Sequence, residues 1–303
     1  MTTMPARSIA LLVLVTAVWG VNFVVIHEGL EHFPPLLFNA LRFTFMALPA
    51  VFLVGRPQVP WRIVIAFGFL LGVVKFGLLF ISLDLGMPAG LSSLLLQLQV
   101  VFTIGFAAVI LQERPRREQV IGAGIAFAGL LVIGVDRAAA APILPFLLIL
   151  GAAAAWGVTN LITRVAQPPD PLAMLVWASL VPPLPLLGLS LLFEGPGEIG
   201  DALASVDPAG IGALLFVAFA AGLFGFAAWT LLLKRHAAAA VTPFALLVPV
   251  FGIASAALLL GERPSGLELG GAALICAGLA ATLVPAPRYA VRAAAASAPS
   301  RTA

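Results

Sequence analysis

Two cations, Lys75 and Arg42, stand inside long apolar runs of the sequence. An ionisable group at membrane depth is a functional suspect by default, because the bilayer core cannot solvate it. Lys75 follows Trp61, the start of its run, by 14 residues. At 1.5 Å per residue that is roughly 21 Å up a helix, too deep for an anchor at the starting face. Its ammonium could face a central cavity and attract a carboxylate. The competing readings are snorkelling to the far surface and pairing with Asp84. Leu79, on the same run, is placed with Lys75 on the substrate route. Arg42 comes six residues after Leu36, roughly 9 Å below the surface. There the favoured role is structural, holding its helix against a carbonyl or a carboxylate such as Asp84.

Polar and aromatic groups complete the candidate set. Asn22 and Asn160 each follow a Trp-Gly pair, Trp19-Gly20 and Trp156-Gly157. Their amides either bond between helices, worth about 0.6 kcal/mol on average in membranes, or line the substrate route with the two indoles. Gln97 and Gln99 are two apart, about 200° around a helix, so at most one is expected to meet the cavity. Trp229 offers an aromatic wall, with packing or lipid contact as the alternative.

Other chemistries find no constellation. His27 and His32 resemble a zinc helix, but they are five apart, about 140° around, where shared ligation needs four. No metal site and no cofactor are expected. Gly90-Leu91-Ser92-Ser93 suggests a serine nucleophile, yet no histidine falls within a span to act as its base, His236 lying at the start of one. No catalytic residue is assigned. The single cysteine, Cys276, allows no intrachain disulfide and reads as a small core residue. No Walker A loop occurs, which argues against ATP-driven pumping by this chain. A pI near 9.7 does not imply nucleic-acid binding, since no basic run exceeds the pair Arg116-Arg117. No obligatory protein partner is evident.

The elements that must hold these residues are transmembrane helices. The chain of 303 residues is 62% hydrophobic and 10% charged, with a mean hydropathy of +1.13. A globular domain is nearer half apolar and a quarter charged. Apolar segments fall at about 8–26, 36–54, 61–83, 88–111, 117–135, 142–164, 171–193, 208–233, 237–260 and 267–284. Their continuous character fits helices and not β-barrel alternation. The first follows Arg7 but no small-residue cleavage site follows it, so it reads as a retained helix. With the N-terminus inside, one side collects Arg7, Arg56, Arg62, Arg114, Arg116, Arg117, Arg164, Lys234, Arg235, Arg288, Arg292 and Arg301, the other only Arg137 and Arg263. The positive-inside bias therefore places both termini in the cytoplasm, in a multi-pass inner (cytoplasmic) membrane protein.

The two halves repeat each other. Ala17-Val18-Trp19-Gly20-Val21-Asn22 recurs at Ala154 to Asn160, and Leu111-Gln112-Glu113-Arg114-Pro115 recurs as Leu260-Gly261-Glu262-Arg263-Pro264, 149 residues later. That offset also puts Gly122 on Gly271 and Gly129 on Gly278. The expected organisation is a first five-helix repeat over 1–137, a second over 138–285, and a disordered cytoplasmic tail over 286–303. Five is odd, so the second repeat must be inverted, an arrangement that puts a substrate site near the midplane between the halves. The doubled Glu-Arg-Pro residues sit at helix ends, where acid and base satisfy helix termini. Their role reads as structural.

On these marks, together with Leu41-Arg42-Phe43 and the Leu-Gln-x-Gln-x-Val-Phe run at 96–102, the chain resembles the EamA-type ten-helix members of the drug/metabolite transporter superfamily. Val100 stands where the second half keeps Pro249. The resemblance covers about residues 8–285. It implies an all-α polytopic fold of two inverted five-helix repeats and export of a small-molecule substrate, nearest to family members that export aromatic amino acids and related amphipathic solutes. The alternatives are a carrier of the same family for another metabolite or drug, an intramembrane protease or lipid transferase, and a channel. The enzyme reading lacks paired catalytic groups; the channel reading lacks a charged ring or filter. All 13 acids are assigned to helix ends or loops. Coupling through a buried carboxylate is therefore unsupported, and facilitated or exchange transport is expected.

Overall fold

Apolar stretches of this length leave the backbone no partner except itself, and helices form throughout. The computed structural model describes residues 4–140, 142–236 and 238–283, and among them no strand occurs. The spans are α1 (Ala6–Leu30), α2 (Pro35–Val51), α3 (Trp61–Asp84), α4 (Ala89–Ile110), α5 (Arg117–Ala140), α6 (Leu144–Ala166), α7 (Pro171–Phe193), α8 (Pro208–Arg235), α9 (Thr242–Leu259, entered by a turn at Ala238–Val241) and α10 (Gly266–Thr282). Eight are long and apolar enough to cross a membrane; α2 and α10 are shorter apolar helices. Proline at or just before the first turn opens α2, α3, α4, α7 and α8, where its missing N–H goes unused. Large apolar side chains such as Phe52, Leu53, Leu184, Phe193 and Leu258 face outward, as a lipid solvent permits. The protein is an all-helical polytopic membrane protein. The expected tail over 286–303 lies outside the described residues.

The acidic connection between the apolar segments 171–193 and 208–233 contains a helix at Gly195–Ala204. Ile199 and Ala202 pack inward from it, and a segment this short gives too few turns for its apolar spacing to register in the sequence.

Helix pairing follows the repeat. α5 packs on α10 and α2 on α7, while α1 on α9 is matched by α6 on α4. Exchanging the halves maps each of these pairs onto itself or onto another. Glycine sets the closest approaches. A Cβ on Gly20 would lie 2.8 Å from both the Gly252 nitrogen and the Val248 carbonyl oxygen, and one on Gly157 would lie 2.8 Å from the Phe102 Cβ. The glycine of each Trp-Gly pair is thus the point where α1 crosses α9 and α6 crosses α4. Gly122 meets Gly278, and Gly129 meets Gly271, across α5 and α10.

Departures from regular helix are doubled as well. α3 widens to π-helix over Phe69–Phe76, and α8 over Phe216–Phe224. α4 tightens to 3-10 geometry at Leu96–Leu98, and α9 at Thr242–Leu246. α7 breaks between Ala178 and Pro183, where Pro182 and Pro183 supply no N–H. Gly68 and Gly72 of α3 press against Ala178 and Pro182 at that break.

Candidate substrate cavity

Where the halves meet, the helices enclose a cavity of ≈ 700 Å³. Its walls bring together Lys75, Leu79, Trp19, Asn22, Gln97, Gln99, Trp156, Asn160 and Trp229. Lys75 is 3% exposed, in the π-helical stretch of α3, a distortion frequent at functional sites. Its Nζ lies 3.2 Å from the Phe76 ring centroid and 4.5 Å from that of Trp156. Neither snorkelling nor an ion pair with Asp84 is observed among the described residues. A cation–π contact contributes about 2 kcal/mol when desolvated. An unpaired buried charge costs several kcal/mol even after relaxation. The rings alone do not offset that cost; water or an anion must.

Arg42 departs from the expected brace. No carboxylate pairs with it among the described residues. It lines the cavity instead, with Cζ 3.7 Å from the same Phe76 ring, 5.2 Å from Phe43 and 6.0 Å from Phe80. Its Nε and Nη1 are buried without a hydrogen-bond partner. The place of Arg42 within an apolar helix was legible in the sequence, but the direction in which α2 presents it depends on tertiary packing.

The glutamines also differ from expectation, because both line the cavity. Gln97 donates to the Ala245 carbonyl of α9 at 2.7 Å. Gln99 accepts from Asn160 of α6, which also donates to Thr103 at 3.2 Å. The 3-10 turn at Leu96–Leu98 alters the angular step assumed for a uniform helix. Asn160 therefore both bonds between helices and lines the wall. Asn22 lines it too, with its buried Oδ1 unpartnered. Trp19 donates to the Ala221 carbonyl at 2.9 Å and tilts against Phe226 and Trp229, with centroids 5.4 and 5.3 Å apart.

One end of the cavity stops on α3 at Leu79, and the fully buried Phe80 next to it does not line the space. The other reaches Glu113, Arg114, Pro115, Arg164 and Thr282, where Arg164 bonds Glu113 at 2.9 Å and both side chains are substantially exposed. The repeat-related Glu262 does different work at the closed end. Its carboxylate accepts from the Ala89 and Gly90 N–H groups, at 2.6 and 3.1 Å, and so caps α4. Arg263 and Pro264 border a small cleft beside it. Glu194 likewise caps α2 through the Leu36 and Leu37 N–H groups, at 2.5 and 3.1 Å.

Sequence reasoning did not single out Phe76, Phe226, Thr103 or Thr159, all of which face the cavity. Phe76 carried a signal in its position next to Lys75. The threonines carried none.

A membrane-embedded bundle of two related halves around a central, partly polar cavity defines a secondary transporter. The chain belongs to the EamA-like transporter family, which matches residues 6–135 and again 143–284. It is 42% identical over 279 residues to a Salmonella typhimurium protein named a probable amino-acid metabolite efflux pump, covering 89% of this chain and 92% of that one. An Escherichia coli protein of the same name is 40% identical over 275 residues, with the same coverage. A probable terminal-alkyne amino-acid exporter of Streptantibioticus cattleyicolor is 27% identical, covering 90% of this chain and 92% of that one. One solved crystal structure matches with a TM-score of 0.61 at 23% identity, over 91% of this chain and 96% of its own, a likeness of fold. Membership of the family makes the protein a transporter of small molecules, not an intramembrane enzyme.

Proposed function

We propose that the chain exports amino acids or closely related amphipathic metabolites across the cytoplasmic membrane by alternating access. The observation that carries this reading is Lys75, an ammonium without a carboxylate partner, buried in an aromatic-walled cavity between the two halves. A substrate carboxylate would supply the missing partner, and the indoles of Trp19, Trp156 and Trp229 would hold an apolar side chain. The names of the relatives at 42% and 40% identity support the same substrate class.

In this reading both termini are cytoplasmic, supported by the Lys and Arg count over the loops. The cavity mouth at Glu113, Arg114 and Arg164 then opens inward, the state that loads an exporter. Among the described residues no acid lines the cavity except Glu113 at its mouth, which favours facilitated or exchange transport over proton or sodium coupling. The test is counterflow in proteoliposomes preloaded with an unlabelled amino acid. Labelled phenylalanine should accumulate transiently against its gradient, and failure of every amino acid tried would reject the reading.

A further inference from the structure

We infer that Arg42 contacts substrate and determines specificity: with Lys75 it forms a two-cation seat that favours carboxylates whose nitrogen is uncharged, such as N-acyl amino acids, over the parent zwitterions. This rests on the amino-acid reading above and names the subclass that the same cavity prefers.

Four observations converge. Arg42 is 2% exposed, yet it borders the cavity with Nε and Nη1 unpartnered. A guanidinium is a permanent cation, and one with N–H groups still unmatched favours an anion beside it. Lys75 Nζ and Arg42 Cζ lie 3.2 and 3.7 Å from the centroid of one ring, Phe76, so the two cations flank the same side chain and charge one patch of the cavity wall. Among the described lining residues the only acid is Glu113, already bonded to Arg164 at the mouth. The ammonium of a zwitterion is tethered to its carboxylate through one carbon. It would therefore enter a net-positive pit with no carboxylate to receive it, and like charges so placed are disfavoured. An acylated nitrogen brings a neutral N–H instead, and Asn22 on the same wall is neutral.

The test is competition against labelled solute uptake by the full-length protein in proteoliposomes, using N-acetylphenylalanine, phenylalanine and phenylalaninamide. N-acetylphenylalanine should compete on the order of tenfold more strongly than phenylalanine, and phenylalaninamide, which lacks the carboxylate, should not compete. Arg42→Gln should bring the ratio of the first two close to one. Should Arg42→Gln fail to fold, Arg42→Lys is read instead; it keeps the charge but loses the fork, and its ratio should fall part of the way. Equal or reversed competition by phenylalanine in the wild type overturns the inference while leaving amino-acid export standing. An unchanged ratio in either variant removes Arg42 from the site. If neither carboxylate competes, the export reading itself is lost.

Discussion

At the scale of single residues, the protein keeps charge where it is hard to keep. Lys75 is buried, and among the described residues its ammonium lies against two aromatic rings with no carboxylate beside it, so its role should show in the charge of what is transported. Lys75→Met preserves much of the chain length and removes the ammonium. Transport of phenylalanine should fall about tenfold or more, in line with the loss of one charge-assisted contact, while an uncharged aromatic analogue is affected less. Initial rates for the two solutes decide it; equal loss for both would make Lys75 structural. Asp207 makes a different prediction, in the connection outside the membrane. Its carboxylate accepts from the Gly210 N–H at 2.8 Å and lies 3.3 Å from His32 Nδ1. The Gly210 bond above all, with His32 adding to it, holds its pKa below the ordinary 3.8. A depressed carboxylate adds stability above 3.8 and loses it as pH falls through the lowered value. Melting temperature should therefore drop less steeply below about pH 4 in Asp207→Asn than in the wild type.

Among the helices, the account depends on crossings and caps. Gly20→Ala would set a methyl against the backbone of Val248 and Gly252, which cannot give way as a side chain could. It should destabilise by about 1–3 kcal/mol. Gly188, with open space around it, serves as the control, and its replacement by alanine should be nearly neutral. Glu262→Gln weakens a charged cap on two N–H groups of α4 and should cost about 1 kcal/mol, seen as a lowered melting temperature in detergent. The spans were legible because a bilayer demands long apolar runs, and the crossings were foreshadowed by the doubled Trp-Gly pairs. The π-helical stretch holding Lys75 was not legible, since slipping a hydrogen bond from four residues to five leaves no mark in composition. The direction of Arg42 and the shared wall of Gln97 and Gln99 were hidden for a related reason. Both depend on how α2 and α4 are rotated by their neighbours, which sequence spacing alone does not specify.

Across the whole molecule, two related halves meet around one cavity that stops at Leu79 on α3 and reaches the surface beside Glu113 and Arg164. Glu262 holds the N-terminus of α4 at the closed end, while Glu113, its counterpart by repeat, bonds Arg164 at the open one. The same five-helix unit thus shows two arrangements of one motif, as expected of a carrier resting with one side open. The most direct measurement is counterflow of labelled phenylalanine in proteoliposomes, with and without imposed proton and sodium gradients. The account predicts transient accumulation driven by the preloaded amino acid alone, with initial rates little changed by either ion gradient. No exchange for any amino acid, or exchange only when an ion gradient is imposed, would contradict it.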